Sequence, residues 1–262
     1  MSRQTADLNE LSLLQVLEQA SNPQHAGSQV QRLAEQQLKT WETQSGYHYL
    51  LQSIYLDLSC SLQIRWLAII QFKNGIERYW RSTRVNAISK DEKASIRSRL
   101  FDMIDEQNNQ LCIQNAQASS RIARLDFPNE WPNLFEFLEQ MLNNDNIWQD
   151  NIKVYNLLVH LNQIIKVLAT ARIGRCRPAM QSKVPLVFPL IVRIYLKTFN
   201  AWTTSNGIDE DDLTNLQVSY LSLKVLRRIT TEGYESPHRN QPVTDFMSIT
   251  VGHFEMLISH YD

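Results

Sequence analysis

Between Lys73 and Arg84 the chain carries Lys73, Asn74, Glu77, Arg78, Arg81 and Arg84 at intervals of one or three residues. Wound at about 100° per residue, these side chains share one face of a helix, basic but for a single acid. Such a face can pair with an acidic partner surface, where complementary charge raises the on-rate and fixes register. Two structural readings stay open beside that one. Asn74 can cap or bridge neighbouring helices internally, and Arg78, Arg81 and Arg84 lie near a helix C-terminus, where cations are favourable in any case.

Other chemistry finds little footing. The six histidines form no HExxH motif, and none stands beside a cysteine at metal-ligand spacing. There is no GxxxxGK[ST] loop and no GxSxG elbow. The one acidic run, Asp209 to Asp212, falls at a helix start, where the dipole favours it. A basic cluster, Arg172, Arg175, Arg177 and Lys183, reads either as a solvated break or as a second acidic-partner contact. No enzyme, cofactor or metal is expected.

The elements that position the basic face are helices. Hydrophobic content of 43%, charged content of 20% and only 7 Gly and 8 Pro in 262 residues fit a core-forming chain with few breakers. A net charge of −1 argues against a general nucleic-acid binder. Cys60, Cys112 and Cys176 are too far apart for a CxxC pair, and buried reduced thiols are expected. No signal peptide is visible, and Val184 to Tyr195, the most apolar segment, is interrupted by Pro185, Pro189 and Arg193.

Helix-period segments follow one another along the whole chain. They are expected at Leu8–Ala20, Gly27–Thr43 (core stripe Val30, Leu33, Ala34, Leu38, Trp41), and from Gly46 (Tyr49, Leu50, Ile54, Tyr55, Leu58). The organising helix is Leu62–Arg84, burying Ile64, Ala68, Phe72, Gly75, Ile76, Tyr79 and Trp80, with its apolar first turns the more deeply buried end. Ser89 opens the next with a capping box in which Glu92 reaches back, followed by Asn108–Arg124. Asp126 to Pro132 connects to a helix ending near Leu142, then Ile147–Ile173, Met180–Trp202 bent at a proline, Leu213–Thr231 and Val243–Tyr261. About five helix pairs and one unpaired helix, repeating every 40 to 50 residues or so, give an all-α, right-handed α-solenoid of HEAT repeats. Phe254, Met256, Leu257 and Ile258 near its end make a poor capping surface, so the chain is expected to continue beyond residue 262.

Three clusters go further. Ala34-Glu35-Gln36-Gln37-Leu38 with Trp41 and Leu50 resembles the opening of importin-β-type nuclear transport receptors. Arg65-Trp66-Leu67-Ala68 with Phe72-Lys73-Asn74-Gly75-Ile76 and Trp80 resembles that family's second repeat. Ile122-Ala123-Arg124 with Asp126, Pro128, Trp131 and Pro132 resembles its third-to-fourth repeat junction. The fuller string RWLAIIQFKNGIERYWR is similar to the importin-eleven branch and its fungal karyopherins.

The resemblance implies a shuttling receptor that carries cargo proteins between cytoplasm and nucleus, contacts phenylalanine-glycine nucleoporins through later repeats, and is switched by the GTPase Ran bound to GTP. It implies that the inner helices of the first repeats hold Ran-GTP, over a region 1–130, with 131–262 adding further repeats. Carried onto this chain, the Ran-binding positions are Lys73 and Asn74, with Arg78 and Arg81 on the same polar face and Glu35 and Gln31 on the first inner helix. The competing class is a HEAT-repeat scaffold that binds no GTPase.

Overall fold

Asn9, Ser28, Ser61 and Ser89 each stand one residue ahead of a helix and accept a hydrogen bond from an amide of its first turn. Those amides have no partner inside the helix, so a short polar side chain at that position sets where the helix starts. The computed structural model, which describes residues 7–170, 174–205 and 209–259, is all-α; no strand occurs among the described residues. It divides into two compact units at Leu125/Asp126.

The first unit contains α1 (Glu10–Ser21), α2 (Gln29–Trp41), α3 (Tyr47–Leu56), α4 (Leu62–Tyr79), α5 (Lys90–Ser98) and nearly all of α6 (Asn109–Asp126). The second contains α7 (Leu134–Leu142), a single turn α8 (Asp145–Trp148), α9 (Asn151–Leu168), α10 (Cys176–Thr204), α11 (Glu210–Glu232) and α12 (Gln241–Ser259). In the first, α1 packs on α2 and α3 on α4; in the second, α10 packs on α7 and α11, and α11 on α9. Hydrogen bonds joining successive hairpins span 41 to 49 residues of sequence, one repeat each: Arg65 to Glu106, Glu92 to Gly46, Lys183 to Glu136, and the Cys176 thiol to the Phe127 carbonyl. That is the signature of helical hairpins stacked in series. Among the described residues, five successive pairs and then α12 are present, as the periodicity implies.

Several local expectations are corrected. The organising helix stops at Tyr79, with Trp80 as its cap, so Arg81 and Arg84 stand in the following turn rather than on the helix. Its first turns are the less buried end: Leu62 is 50% exposed and Trp66 36%, while Phe72 and Ile76 are sealed. The apolar crowding there reflects a shallow groove, lined also by Ala20, Ser21 and Leu67, and not a deeper core. Val30, Leu33 and Leu58 are exposed, and α3 buries Tyr47, His48, Leu51 and Gln52 ahead of Tyr49 and Leu50, a shift of the stripe along the helix.

Glu92 does not reach back to its own cap. Its carboxylate oxygens accept the amides of Gly46 and Tyr49, 2.9 and 3.2 Å away, at the start of α3. Gly46 sits at φ 85°, which favours glycine, and offers no side chain to cap its helix, so a neighbouring hairpin supplies the acceptor. The expected Ile147–Ile173 helix breaks at Asp150, whose carboxylate caps α9. Arg172 and Ile173, residues 206–208, and the last residues of the expected Val243–Tyr261 helix lie outside the described residues. α10 runs unbroken through Pro185 and Pro189, both on its exposed side, where a missing amide leaves only a solvent-side carbonyl. Of the cysteines, Cys112 and Cys176 are buried thiols; Cys60 is partly exposed beside Asp57.

Candidate functional site

Gly75 decides how α4 presents its polar face. A Cβ there would lie 2.1 Å from Nε2 of His48 on α3, so only glycine lets the two helices meet this closely. With Ile64, Ala68, Phe72 and Ile76 turned into the core on the same side, Lys73, Asn74, Glu77 and Arg78 are held around the opposite surface. Farther back, Arg65 is buried: its Nε donates to the Tyr55 carbonyl at 2.8 Å and its guanidinium pairs with buried Glu106. This pair fixes α4 to the turn ahead of α6.

Outside that anchor the polar faces of α2, α4 and α6 meet. Arg78, 59% exposed along its side chain, pairs with Glu42 at the end of α2. The Lys73 ammonium donates to Gln114 and Gln117 of α6, and Arg121 of α6 donates to the Lys73 carbonyl at 3.0 Å and pairs with Glu77 at 3.1 Å. Partial burial, with the Arg121 charge adding to it, holds the Lys73 ammonium below its ordinary pKa. Arg81 enters from the turn after α4 and, with Glu77, Arg121, Arg124 and Leu125, lines a recess of about 120 Å³. Arg84 is exposed beyond it.

The expected residues therefore fall into different situations. Arg78 and Arg81 are displayed, and Asn74 is half-buried on the same face. Lys73 is engaged internally by two glutamines. Glu35 is exposed on α2, seven residues and hence two turns from Glu42, so both lie on the side that faces α4. Gln31 is occupied within its own hairpin: its oxygen accepts the Gly27 amide at 2.8 Å and its nitrogen donates to the Ala20 carbonyl at 3.3 Å. The sequence reading missed Glu42, Gln114, Gln117, Arg121 and Arg124. The last four recur at i, i+3, i+7 and i+10 on α6, a polar stripe as regular as its apolar one, which would have found them.

Elsewhere, cations mostly meet their own chain. Arg177 pairs with Glu232 at 3.1 Å, Lys183 with Glu136, and the Arg193 guanidinium lies 3.8 Å from the centre of the Trp148 ring. Asp209 and Asp212 form a reciprocal capping box on α11, the helix-start role expected of that acidic run. The Asp126 carbonyl accepts the amides of Glu130 and Trp131, and Trp131 is buried, so this junction is built as a structural corner. Among the described residues no group of His, Cys, Asp and Glu is arranged to hold a metal.

Comparison with known proteins places this geometry. A family model described as the importin-β N-terminal domain matches residues 34–106, the stretch containing α3, α4, α5 and most of α2. The chain is 72% identical to the importin β-like protein KAP120 of Saccharomyces cerevisiae over 98% of its length, which is 25% of that protein. It is 35% identical to human Importin-11 over 96% of its length, again 25% of the relative. Among solved structures, Lph2, described as a bidirectional nuclear transport receptor of S. cerevisiae, superposes with a TM-score of 0.85 at 68% identity, over 97% of this chain and 24% of that one. The exportin Cse1 in its cargo-free state shares the fold, with a TM-score of 0.77 at 18% identity, over 94% of this chain and 25% of that one. The chain thus spans about a quarter of the length of these relatives, and it belongs to the importin-β family, alongside Importin-11 and KAP120.

Proposed function

We propose that this chain is the Ran-binding part of a nuclear transport receptor and works by binding alone, without catalysis. The observation that carries the reading is the shared polar face of α2, α4 and α6, locked in register by Arg78–Glu42, Lys73–Gln114 and Arg121–Glu77. Arg78 and Arg81 are the displayed contacts, Asn74 and Glu35 flank them, and Lys73 and Gln31 hold the face in shape from within. Ran's nucleotide-sensing loops are ordered only when the γ-phosphate is present, so a rigid, preset face would discriminate GTP from GDP through them. Residues 1–130 form this region, and 131–262 begin the repeats that carry cargo proteins and nucleoporins in a longer solenoid shuttling between cytoplasm and nucleus. Exposed Met247, Val251, Phe254 and Ile258 along α12 support a further helix stacked there.

The test is a titration of this chain with Ran loaded with a non-hydrolysable GTP analogue or with GDP. Tight binding to the GTP form alone is expected. Equal or absent binding to both would instead leave a HEAT-repeat scaffold. Arg78→Glu with Arg81→Glu should weaken the GTP-dependent binding at least about tenfold, since charge reversal opposes as well as removes an attraction. Helicity and melting temperature should stay near wild type, because both side chains are exposed.

A further inference from the structure

The turn after α4 reads Arg81-Ser82-Thr83-Arg84-Val85-Asn86, and every one of these residues is exposed, Val85 by 83%. It is fastened at its feet: the Ile88 amide donates to the Tyr79 carbonyl at 3.0 Å, and the Ile88 side chain is buried. Between those feet a single backbone bond, Arg84 amide to Arg81 carbonyl at 3.0 Å, closes the tip. Such a segment can open into another protein's cleft without disturbing α4 or α5. Its hydroxyls stand in a run of cations, with Arg78 and Arg81 before Ser82 and Arg84 two residues after it. An acidic substrate groove would recognise that pattern through charge-assisted hydrogen bonds.

We propose that Ser82 is a phosphorylation site for an arginine-directed serine/threonine kinase, and that the added phosphate is captured by Arg78, Arg81 and Arg84 and masks the basic face. In the reaction, Ser82 Oγ bonds to the γ-phosphorus of ATP as the bond to the β–γ bridging oxygen breaks. ADP leaves, and the hydroxyl proton passes to the kinase's base. A phosphoserine carries about −1.5 to −2 charges at neutral pH and three strong acceptors. The cations nearest it along the chain are Arg78, Arg81 and Arg84; Arg81 also lines the recess with Glu77, Arg121 and Arg124, and the acids Glu42 and Glu77 already pair with Arg78 and Arg121. Because Arg78 keeps 59% of its side chain in solvent, it can turn to the phosphate. The masking half of the proposal rests on the Ran-binding reading; the capture half does not.

The experiment treats this chain with Mg-ATP and an arginine-directed kinase, maps the phosphate by mass spectrometry, and follows its ³¹P resonance through pH. Phosphate on Ser82, absent from Ser82→Ala, is expected, with a second pKa below the roughly 6 of a free phosphoserine that returns toward it in Arg81→Ala/Arg84→Ala. Phosphate elsewhere, no phosphate, or an unshifted pKa would overturn the site. Affinity for GTP-loaded Ran should then fall about fivefold on phosphorylation at low salt, and the difference should shrink as salt rises. Unchanged affinity would overturn the masking. If the unmodified chain ignores Ran altogether, the Ran-binding reading fails and masking with it, while the map and the titration still decide capture.

Discussion

The two units build the same stacked hairpins and use their charges in opposite ways. In the first, the strongest ion pair is hidden: Arg65 and Glu106 are both buried, while Arg78, Arg81 and Arg84 are held outward. In the second, Lys183 and Arg177 meet acids within the stack, and Arg193 and Lys197 settle on the Trp148 ring. A repeat fold leaves this choice free, because each hairpin needs only its apolar face to pack and its polar positions are available for other work. The first unit has a buried electrostatic anchor and a presented cationic surface; the second has partly exposed pairs that only trim its edges.

The sharpest way to break that comparison is to remove the anchor. Arg65→Leu takes the guanidinium from buried Glu106, which keeps only hydrogen bonds such as that from the Asn108 amide at 2.9 Å, and should cost about 3–5 kcal/mol in chemical denaturation. Lowering the pH comes next and acts on both units. Burial pushes His48 in the first down to about 4 and His160 in the second to about 3, against about 6.5 unfolded. The unfolded chain therefore binds more protons between these values, so the stabilisation is complete above pH 6.5 and is lost as pH falls. At pH 5 each histidine should account for about 2 kcal/mol of lost stability, checked by His48→Gln and His160→Gln, which flatten the pH dependence of their own unit.

Gly75→Ala is a smaller probe, specific to the first unit. The added methyl meets the His48 ring, which is 2% exposed and closely packed, so about 1–3 kcal/mol is expected in thermal melts. Trimming the ring with His48→Ala in the same chain should recover part of that loss. The least effect belongs to the second unit. Lys183→Ala removes a pair whose side chains are about a third exposed, and its midpoint in denaturant should move by less than about 1 kcal/mol. A loss as large as that of Arg65→Leu would erase the distinction between the units.

What could be read from sequence was whatever depends on near neighbours in the chain. The cap at Ser89, the apolar stripe of α4 and the spacing of the hairpins all follow from intervals of a few residues and from the need to bury one helix face. The organising helix was overrun by a turn because its arginines continue the polar pattern past Trp80, and pattern alone does not show where a backbone turns away. The buried stripe of α2 is narrower than spacing alone implies for a related reason: Val30 and Leu33 keep helical spacing but stay exposed.

By itself, then, the sequence determined that this is a chain of amphipathic helices in a repeating series with one conspicuously basic segment. Only the tertiary structure decided which charges are sealed in and which are shown. Glu92 caps a helix 46 residues earlier, Arg65 finds Glu106 across 41, and Lys73 is taken by Gln114 at the same distance. The reason is physical: helix formation and amphipathic patterning are local, whereas an ion pair between stacked hairpins exists only once the whole repeat between its partners has folded and set them side by side.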